Sequence, residues 1–560
     1  MSMLHKPTMY ENRKFWVGLG VGGILVLLFQ YSLLFHVHKP LGLLHGDAYL
    51  VNFILKHWME AFTTGQWRNF TMLPMFHGFT GSLFYTDHHF VQALMALPFY
   101  IFTSDIITTS NLLVVTTVLL SFASMYVFSW YMTKHAAASI FSGVIFVLNP
   151  FVFARYPDQL ILFSLQWIPM IFLSFERKRT GWFFFFLVLQ LLTSLYYSVF
   201  LTVIVPIYAG VRFLQERRKP LIWTRSGVFG FVVFVMITML SATMYYRVFS
   251  KEPIKRSMDV VALYAARPTD WLFTSEMNML YGRFAPREGR IYSEHSLFPG
   301  VIAIALLPLS FVLLRKRSER KYWVVGIILI IVSVVLSFGP MTFFYRLLYT
   351  INPLFHFIRT SARFGVFAYF FLAWICGMTL ARILSRFSPK KGMIIGGFVI
   401  LLILGEYWNK PLDFLIVGAS TRELYATFEQ RKDIQVILEY PIGNMISYAF
   451  PQARAEDLDA QYLLYGALFH NKTLFNGYSG FFPAEYYRRA NMLSVNFPSE
   501  DKLIQVKQWG VDAIILHRDE FLDASRYDVV RNGLITRQVK LVSEMDGLAL
   551  FDLTTWTGAR

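Results

Sequence analysis

The sequence contains only one cysteine among its 560 residues, Cys376, and that cysteine lies inside an apolar run. A single cysteine excludes an internal disulfide and any metal or redox site built from cysteines. Cysteine usage therefore gives no indication of the redox compartment. Charged residues are also scarce, at 16% of the chain, and neither an internal repeat nor a low-complexity segment is visible. The fold must therefore depend on the apolar residues.

Apolar residues are abundant: 55% of the chain is hydrophobic and the mean hydropathy is +0.46. Apolar runs recur through most of the first 408 positions, which a soluble domain of this size would not tolerate. The first run is longer and more aromatic than a signal peptide and lacks a small-residue cleavage site, so we expect it to remain as an anchor. The pattern predicts an α-helical polytopic membrane protein with about eleven spans, near residues 15–36, 106–131, 137–153, 160–176, 181–196, 198–214, 226–247, 297–314, 323–339, 366–385 and 392–409.

The basic residues indicate which side of the membrane each connector occupies. The formal charge is +17, but no single basic face emerges, so we do not expect nucleic acid as a partner. The basic residues cluster instead in short connectors, which predicts a cytoplasmic location for them and for the N-terminus. These connectors are residues 176–179, 215–219, 315–321 and 388–391.

This topology puts a large first loop, residues 36–104, and a second one, residues 248–296, on the outer face of the cell membrane. It holds only if residues 89–103 do not cross, and because that segment is short and contains Pro98 we expect an interfacial or re-entrant helix. Residues 1–408 then form the transmembrane domain, and the less apolar residues 409–560 form an extracytoplasmic α/β domain. Strands are predicted at 436–440 and 513–516.

Asp47 stands at the head of a predicted amphipathic helix in the first loop. The apolar positions that follow it have helical spacing, at Val51, Ile54, Leu55, Trp58, Met59 and Phe62. We expect this helix to lie in the membrane interface, with the acid at headgroup depth. An aspartate at a helix start is equally typical of a simple N-cap, and the spacing alone does not separate the two interpretations.

Asp87, His88 and His89 form a second polar group on the same loop. We expect these three residues to bind substrate. Asp87 is also the second acid of the loop after Asp47, and two carboxylates with imidazoles could hold a divalent cation or could divide into a base and an orienting group. The spacing matches no strong metal signature, and Asp or His near a helix start is also a common solvated cap. The sequence therefore leaves a divalent cation open and makes no cofactor certain.

Arg359 and Arg363 form a third candidate group, in the outer connector between the ninth and tenth spans. Four residues apart, they would share one helical face and could offer forked donors to phosphate oxygens. Anchoring to lipid headgroups would need the same residues, but outward-facing arginines oppose the usual charge bias, which favours function. Glu294 and His295, immediately before the eighth span, complete the predicted substrate-binding set.

The order of these parts resembles that of GT-C-type glycosyltransferases, which use polyprenyl-phosphate sugars. Asp47 corresponds in position to the loop acid of protein mannosyltransferases and lipid A aminoarabinose transferases, with Ala48 where a glutamate is common. Residues 86–90 stand where those families carry a His-Pro-Pro-Leu-like stretch, without the prolines. Residues 359–364, 476–483 and 510–515 are similar to signatures of bacterial YfhO-like membrane proteins, a class implicated in glycosylating cell-surface polymers.

The resemblance implies an inverting enzyme that transfers a hexosyl or other glycosyl group to a cell-envelope acceptor, which is a polymer, lipid or protein. Asp47 would be the catalytic base, and Arg359 and Arg363 would stabilise the leaving polyprenyl phosphate. Two alternatives stay open. A transporter or flippase of a lipid-linked sugar should show repeats and charges within spans, and a non-catalytic envelope scaffold would need no acid at the interface.

Overall fold

The computed structural model describes residues 9–42, 46–67, 69–216, 224–250, 255–285, 294–429, 431–443, 455–470, 472–521 and 523–558. Residues 217–219 of the basic connectors and parts of the predicted 248–296 loop lie outside these ranges. The chain divides into two compact units. The first comprises residues 1–35, 114–242 and 254–411, and the second comprises residues 36–113, 243–253 and 412–560.

The first unit is helical, and two of its long helices, Ile106–Thr133 and Arg225–Phe249, begin or end in segments assigned to the second unit. Its other α-helices are Met9–Phe29, Tyr31–Leu34, Ala136–Leu148, Pro150–Phe153, Leu160–Phe163, Trp167–Glu176, Thr180–Thr193, Leu195–Glu216, Met258–Leu263, Val301–Leu313, Arg317–Ser337, Phe343–Ile351, Gly365–Leu384 and Pro389–Tyr407. Short 3-10 helices lie at Pro268–Leu272, Gly282–Phe284, Gly339–Met341, Pro353–Phe357 and Ser361–Phe364.

Helix Gly365–Leu384 is the buried centre of the first unit. It packs against helices Arg317–Ser337, Ala136–Leu148 and Val301–Leu313. Gly377 allows the closest approach, because a Cβ there would lie 1.9 Å from the Ser142 hydroxyl oxygen. Small residues at such contacts let helices in membranes approach closely enough for van der Waals packing.

Seven helices of the described residues are long and apolar enough to cross a membrane. They coincide with seven of the eleven predicted spans. The predicted spans 160–176, 181–196 and 297–314 correspond to shorter apolar helices, and 392–409 corresponds to Pro389–Tyr407. Large apolar side chains such as Phe229, Met236 and Met239 are exposed on Arg225–Phe249, as expected for a lipid-facing surface. The chain is a membrane protein, while the count of eleven and the sidedness stay predictions.

The second unit combines helices with one mixed sheet. The sheet has the order β2-β1-β3-β5-β4, in which β2, β1 and β3 are parallel and β5 pairs antiparallel with β3 and β4. Its strands are β1 Val436–Tyr440, β2 Thr473–Leu474, β3 Ala513–His517, β4 Lys540–Met545 and β5 Leu548–Asp552. The two predicted strands are therefore confirmed as β1 and β3, whereas the domain boundary at residue 409 stays a prediction.

The helices of the second unit come from both ends of the chain. They are Gly46–Thr64, Phe90–Thr103, Ala419–Glu429, Ala455–Phe469, Ala484–Ser494, Glu500–Gln508 and Ala524–Thr536, with 3-10 helices at Ser82–Tyr85 and Arg518–Glu520. Helix Phe90–Thr103 has 14 residues and contains Pro98. At 1.5 Å per residue it is about 21 Å long, shorter than the ~30 Å hydrocarbon core.

We call Gly46–Thr64 the loop helix. It forms where the periodicity predicted it, but its apolar positions, including Ile54, Leu55 and Met59, are buried inside the unit. Its principal neighbour is helix Ala455–Phe469, and the Lys56 ammonium donates a hydrogen bond of 2.8 Å to the Ala467 carbonyl. Protein therefore covers the surface that we expected to face lipid. The interfacial position of this helix stays a prediction.

Candidate active site

Asp47 lies in the first turn of the loop helix and is half-buried. The Tyr478 hydroxyl donates a hydrogen bond of 2.8 Å to Asp47 Oδ1. A phenol that donates to a carboxylate makes a charge-assisted hydrogen bond, which is stronger than a neutral one and directional. Tyr478 therefore orients the acid that the sequence singled out.

The segment that carries Tyr478 is fixed on both sides. The Asn476 side chain is fully buried and bonds the Glu439 backbone twice, accepting from its N–H at 2.8 Å and donating to its carbonyl at 3.0 Å. Gly477 lies under the Phe76 ring, where an added Cβ would come within 2.4 Å of the ring. Strand β1 thus anchors the segment, and the absence of a side chain at Gly477 leaves room for the Phe76 ring. Residues 476–483, which the sequence marked only as a family signature, include a direct partner of Asp47.

Asp87, His88 and His89 precede helix Phe90–Thr103. Both imidazoles are buried, and burial lowers the pKa of His88 to about 4 and, with the neighbouring His88 charge, that of His89 to about 3. His88 Nδ1 accepts the Phe90 N–H at 3.1 Å, and the His88 carbonyl accepts from Trp58 Nε1 at 2.7 Å. The two histidines are therefore neutral near pH 7, and the His88 ring bonds the first N–H of the helix, while His89 occupies the N-cap position without a side-chain cap. Their role in substrate binding stays a prediction.

Among the described residues, no three His, Cys, Asp or Glu side chains come together as a group that could hold a metal ion. The cation alternative for Asp87, His88 and His89 therefore gains no support from geometry.

Glu294 and Arg363 meet in the first unit, in a buried triad with Arg155. The Glu294 carboxylate accepts from Arg363 Nε at 2.9 Å and from Arg363 Nη2 at 2.5 Å, and Arg155 pairs with its other oxygen. Burial raises the pKa of Glu294, but the two guanidinium charges oppose this effect and lower it to about 2. One carboxylate thus faces two cations, and Arg363 is already occupied by an ion pair. His295, next in the chain, is also buried.

Arg359 differs from Arg363 in its surroundings. It is half-buried, and its guanidinium lies over the Tyr264 ring at 4.5 Å from the centroid. Within the described residues the side chain has neither an ion pair nor a hydrogen bond. The expected shared helical face does not form, because residues 358–360 are not helical and separate the 3-10 helices Pro353–Phe357 and Ser361–Phe364.

Tyr196 connects the two arginines within the first unit. Its hydroxyl accepts the backbone N–H of Arg359 at 2.9 Å, and its ring lies 4.4 Å below the Arg363 guanidinium. Sequence reasoning missed Tyr196, Arg155 and Tyr478 as partners. For Tyr478 a signal was present, because it stands inside a noted motif. For Tyr196, in an apolar segment, and Arg155, in the turn after helix Pro150–Phe153, no local signal existed, since both lie far along the chain from their partners.

The predicted site residues thus fall into two groups. Asp47, Asp87, His88 and His89 belong to the second unit, and Glu294, His295, Arg359 and Arg363 belong to the first.

Comparison with known proteins gives a fold and no family. No family model matches the chain, and no curated protein matches it. The cryo-EM structure of the arabinofuranosyltransferase AftD from Mycobacteria superposes on 95% of this chain with a TM-score of 0.60 and 13% identity. A mutant form of AftD superposes on 96% with a TM-score of 0.55 and 12% identity. The likeness to apo ArnT from Cupriavidus metallidurans, with 12% identity over 96% of this chain and 98% of that one, has a TM-score of 0.48 and is too weak to bear on the fold.

The chain spans about two fifths of the length of AftD, since the match covers 39% of that protein. At 13% identity the likeness concerns the fold alone. It supports the GT-C fold that the order of parts in the sequence predicted, whereas the YfhO-like assignment stays a prediction. Nearly the whole of this chain therefore has a counterpart in the fold of AftD.

Proposed function

We propose that this protein is a membrane glycosyltransferase that moves a sugar from a polyprenyl-phosphate donor to a cell-surface acceptor on the outer face of the membrane. The observation that carries the proposal is the Asp47 carboxylate, held by the Tyr478 hydroxyl at the head of the loop helix in a chain with a GT-C-like fold. Neither a scaffold nor a flippase needs an oriented acid at this place.

Asp47 acts as the general base in this proposal. It accepts the proton of an acceptor hydroxyl while the hydroxyl oxygen attacks the anomeric carbon of the donor. The bond between that carbon and the phosphate oxygen breaks, the electron pair leaves with the polyprenyl phosphate, and the configuration inverts. Half-burial suits this role, because the carboxylate is reachable by substrate while Tyr478 limits its orientation.

Arg359 is the better of the two arginines for binding the donor phosphate. Its guanidinium has no carboxylate partner among the described residues, while the ring of Tyr264 supports it from one side. Arg363 is paired with Glu294 and lies against Tyr196, whose hydroxyl holds the Arg359 backbone. We therefore assign phosphate binding to Arg359 and a positioning role to Arg363. These roles are proposed separately from that of Asp47, because the residues belong to different units.

The first experiment is release of polyprenyl phosphate from a panel of polyprenyl-phosphate sugars, with membrane extract from the source as acceptor. We compare wild type with Asp47→Asn and with Asp546→Asn, the same substitution at an exposed turn position. A positioned base typically contributes about 10²–10⁴ in rate, so Asp47→Asn should lose at least a hundredfold and Asp546→Asn should retain wild-type turnover. Turnover by Asp47→Asn within a few-fold of wild type would remove Asp47 as the base.

The second experiment measures donor affinity in the Asp47→Asn background, where turnover does not interfere. Arg359→Gln should bind the polyprenyl-phosphate sugar at least tenfold more weakly, since a charge-assisted bond to phosphate is lost. The exposed Arg386→Gln serves as the matched control and should bind as before. Unchanged affinity in Arg359→Gln would remove this residue from the donor site. Donor binding without any release by wild type would favour the transporter alternative.

A further inference from the structure

A cavity of about 910 Å³ lies in the second unit beside the C-terminal half of the loop helix. Residues Phe53, Lys56, His57, Glu60 and Thr64 of that helix line one side, and residues 65–67, 69 and 72–79 line another. Pockets for small ligands typically measure about 300–1,000 Å³, so this one has room for more than a single sugar ring. The donor and base roles described above do not use it.

The cavity is separate from Asp47 within the same unit. Asp47 is not among the lining residues. The lining residues of the same helix run from Phe53 to Thr64, which at 1.5 Å per residue are roughly 9 to 26 Å from Asp47 along the axis, with Glu60 roughly 20 Å away. A ligand here would therefore bind away from the base rather than at it.

The lining combines an exposed aromatic face with polar groups. Trp67 is 46% exposed, and its ring is held from behind by Phe62 at 5.6 Å and Trp58 at 6.4 Å between centroids. Glu60 supplies a carboxylate acceptor, and Gln66 and Asn69 supply amides that both donate and accept. An apolar ring face next to acceptors and donors complements a sugar, whose ring carries C–H groups on its faces and hydroxyls at its edge.

The charges of the lining favour an uncharged ligand. The Lys56 and Lys472 ammonium groups already donate to the carbonyls of Ala467 and Arg431, each at 2.8 Å. Burial lowers the pKa of Lys56, and the Glu60 carboxylate acts in the opposite direction. Beside Glu60, a phosphate or carboxylate ligand would meet a charge of its own sign, whereas a hydroxyl group can donate to that carboxylate and accept from the amides of Gln66 and Asn69.

We propose that this cavity binds an uncharged oligosaccharide segment, with Trp67 as the stacking platform and Glu60 as the hydroxyl acceptor. This assignment rests on the proposed transferase function. The bound segment belongs to the acceptor and lies several sugar residues from the hydroxyl that Asp47 activates. The cavity would thus select acceptors by length and by composition at a distance from the reaction.

The test measures binding of free oligosaccharides, so it does not depend on turnover. The full-length protein in nanodiscs is applied to an array of neutral and anionic oligosaccharides, and the strongest neutral binder is then titrated by calorimetry. Trp67→Ala and Glu60→Gln should each weaken binding roughly tenfold, while the exposed Glu423→Gln should leave it unchanged. Asp47→Asn should bind the oligosaccharide as wild type does.

Absence of binding to any neutral oligosaccharide, or binding to anionic ones alone, would overturn the assignment. So would unchanged affinity in both Trp67→Ala and Glu60→Gln. The isosteric Glu60→Gln keeps the test decisive if Trp67→Ala fails to fold. The oligosaccharide-binding proposal and the transferase proposal fail in different ways, because Asp47→Asn is expected to bind the oligosaccharide without turning over the donor. Oligosaccharide binding without donor turnover by wild type would refute the transferase proposal and leave the oligosaccharide site intact.

Discussion

Replacing Glu294 by glutamine should destabilise the protein more than any single change at Arg155 or Arg363. Glu294 is the one carboxylate in the triad, and both guanidiniums around it are buried, with relative exposures of 1% for Arg155 and 6% for Arg363. In Glu294→Gln both cations remain buried without an opposing charge. In Arg155→Met the remaining pair, Arg363 with Glu294, is still balanced.

The magnitude follows from what each change leaves behind. Removing one partner of a buried ion pair costs about 3–5 kcal/mol, because the other charge stays desolvated. We expect Glu294→Gln to cost about 3–5 kcal/mol or more and Arg155→Met to cost less than half of that. The double variant should cost less than the sum of the two, since Arg155→Met removes one of the stranded charges.

The assay is the free energy of unfolding in mixed micelles, titrated with SDS and followed by circular dichroism. The pH dependence gives a second readout. Because the pKa of Glu294 is lowered from 4.5 to about 2 in the folded protein, its contribution is fully present above about pH 4.5 and is lost as the pH falls towards 2. Equal losses in Glu294→Gln and Arg155→Met, or a loss below 1 kcal/mol in Glu294→Gln, would refute this reasoning.

Two further predictions concern the second unit. Tyr478→Phe should lower kcat roughly tenfold to a hundredfold with the fold intact, because a hydrogen bond to a charged group is worth about 1.5–3 kcal/mol. Tyr246→Phe, at an exposed position, is the control and should leave kcat unchanged. An unchanged kcat in Tyr478→Phe would show that Asp47 needs no such partner. The pKa of His88 is about 4 in the folded protein and 6.5 in the unfolded chain, so lowering the pH from 6.5 to 4 protonates the unfolded state first and reduces the free energy of unfolding. His88→Asn should make this loss of stability smaller. Asparagine still provides an acceptor for the Phe90 N–H. The same pH slope in both proteins would contradict the assignment of that slope to His88.

Local sequence patterns predicted the local structure well. Each of the eleven predicted spans contains α-helix, although 160–176 is interrupted at residues 164–166; the loop helix begins next to Asp47, and β1 and β3 lie where short β-branched runs indicated strands. Such patterns reflect which face of a helix or strand is buried, and they need only neighbouring residues. The GT-C fold was also within reach, because it is encoded in the order of these elements.

What covers each face was not predictable from the sequence. The loop helix has the periodicity of a membrane-surface helix, and the same periodicity suits a helix covered by protein. The partner helix Ala455–Phe469 lies hundreds of residues away, so no local signal pointed to it. Likewise, the spacing of Arg359 and Arg363 suggested one helical face, and the backbone break at 358–360 together with the distant Glu294 gave them different surroundings.

The long separation between the loop helix and its partner has a consequence for biosynthesis. The Ala467 carbonyl that Lys56 bonds is synthesised 411 residues after Lys56, and the Tyr478 hydroxyl that bonds Asp47 is synthesised 431 residues after Asp47. At about 5–20 residues per second, translation of the intervening chain takes on the order of 20–90 s. During that interval the part of the loop helix that packs on helix Ala455–Phe469 lacks that partner, although Trp58 can already bond the His88 carbonyl, and the bilayer surface can cover the remaining apolar side chains. We therefore expect the loop helix to bind the membrane surface first and to leave it only after residues 455–469 have been synthesised. Nascent chains stalled before residue 455 should then be more tightly bound to the membrane through this segment than completed chains.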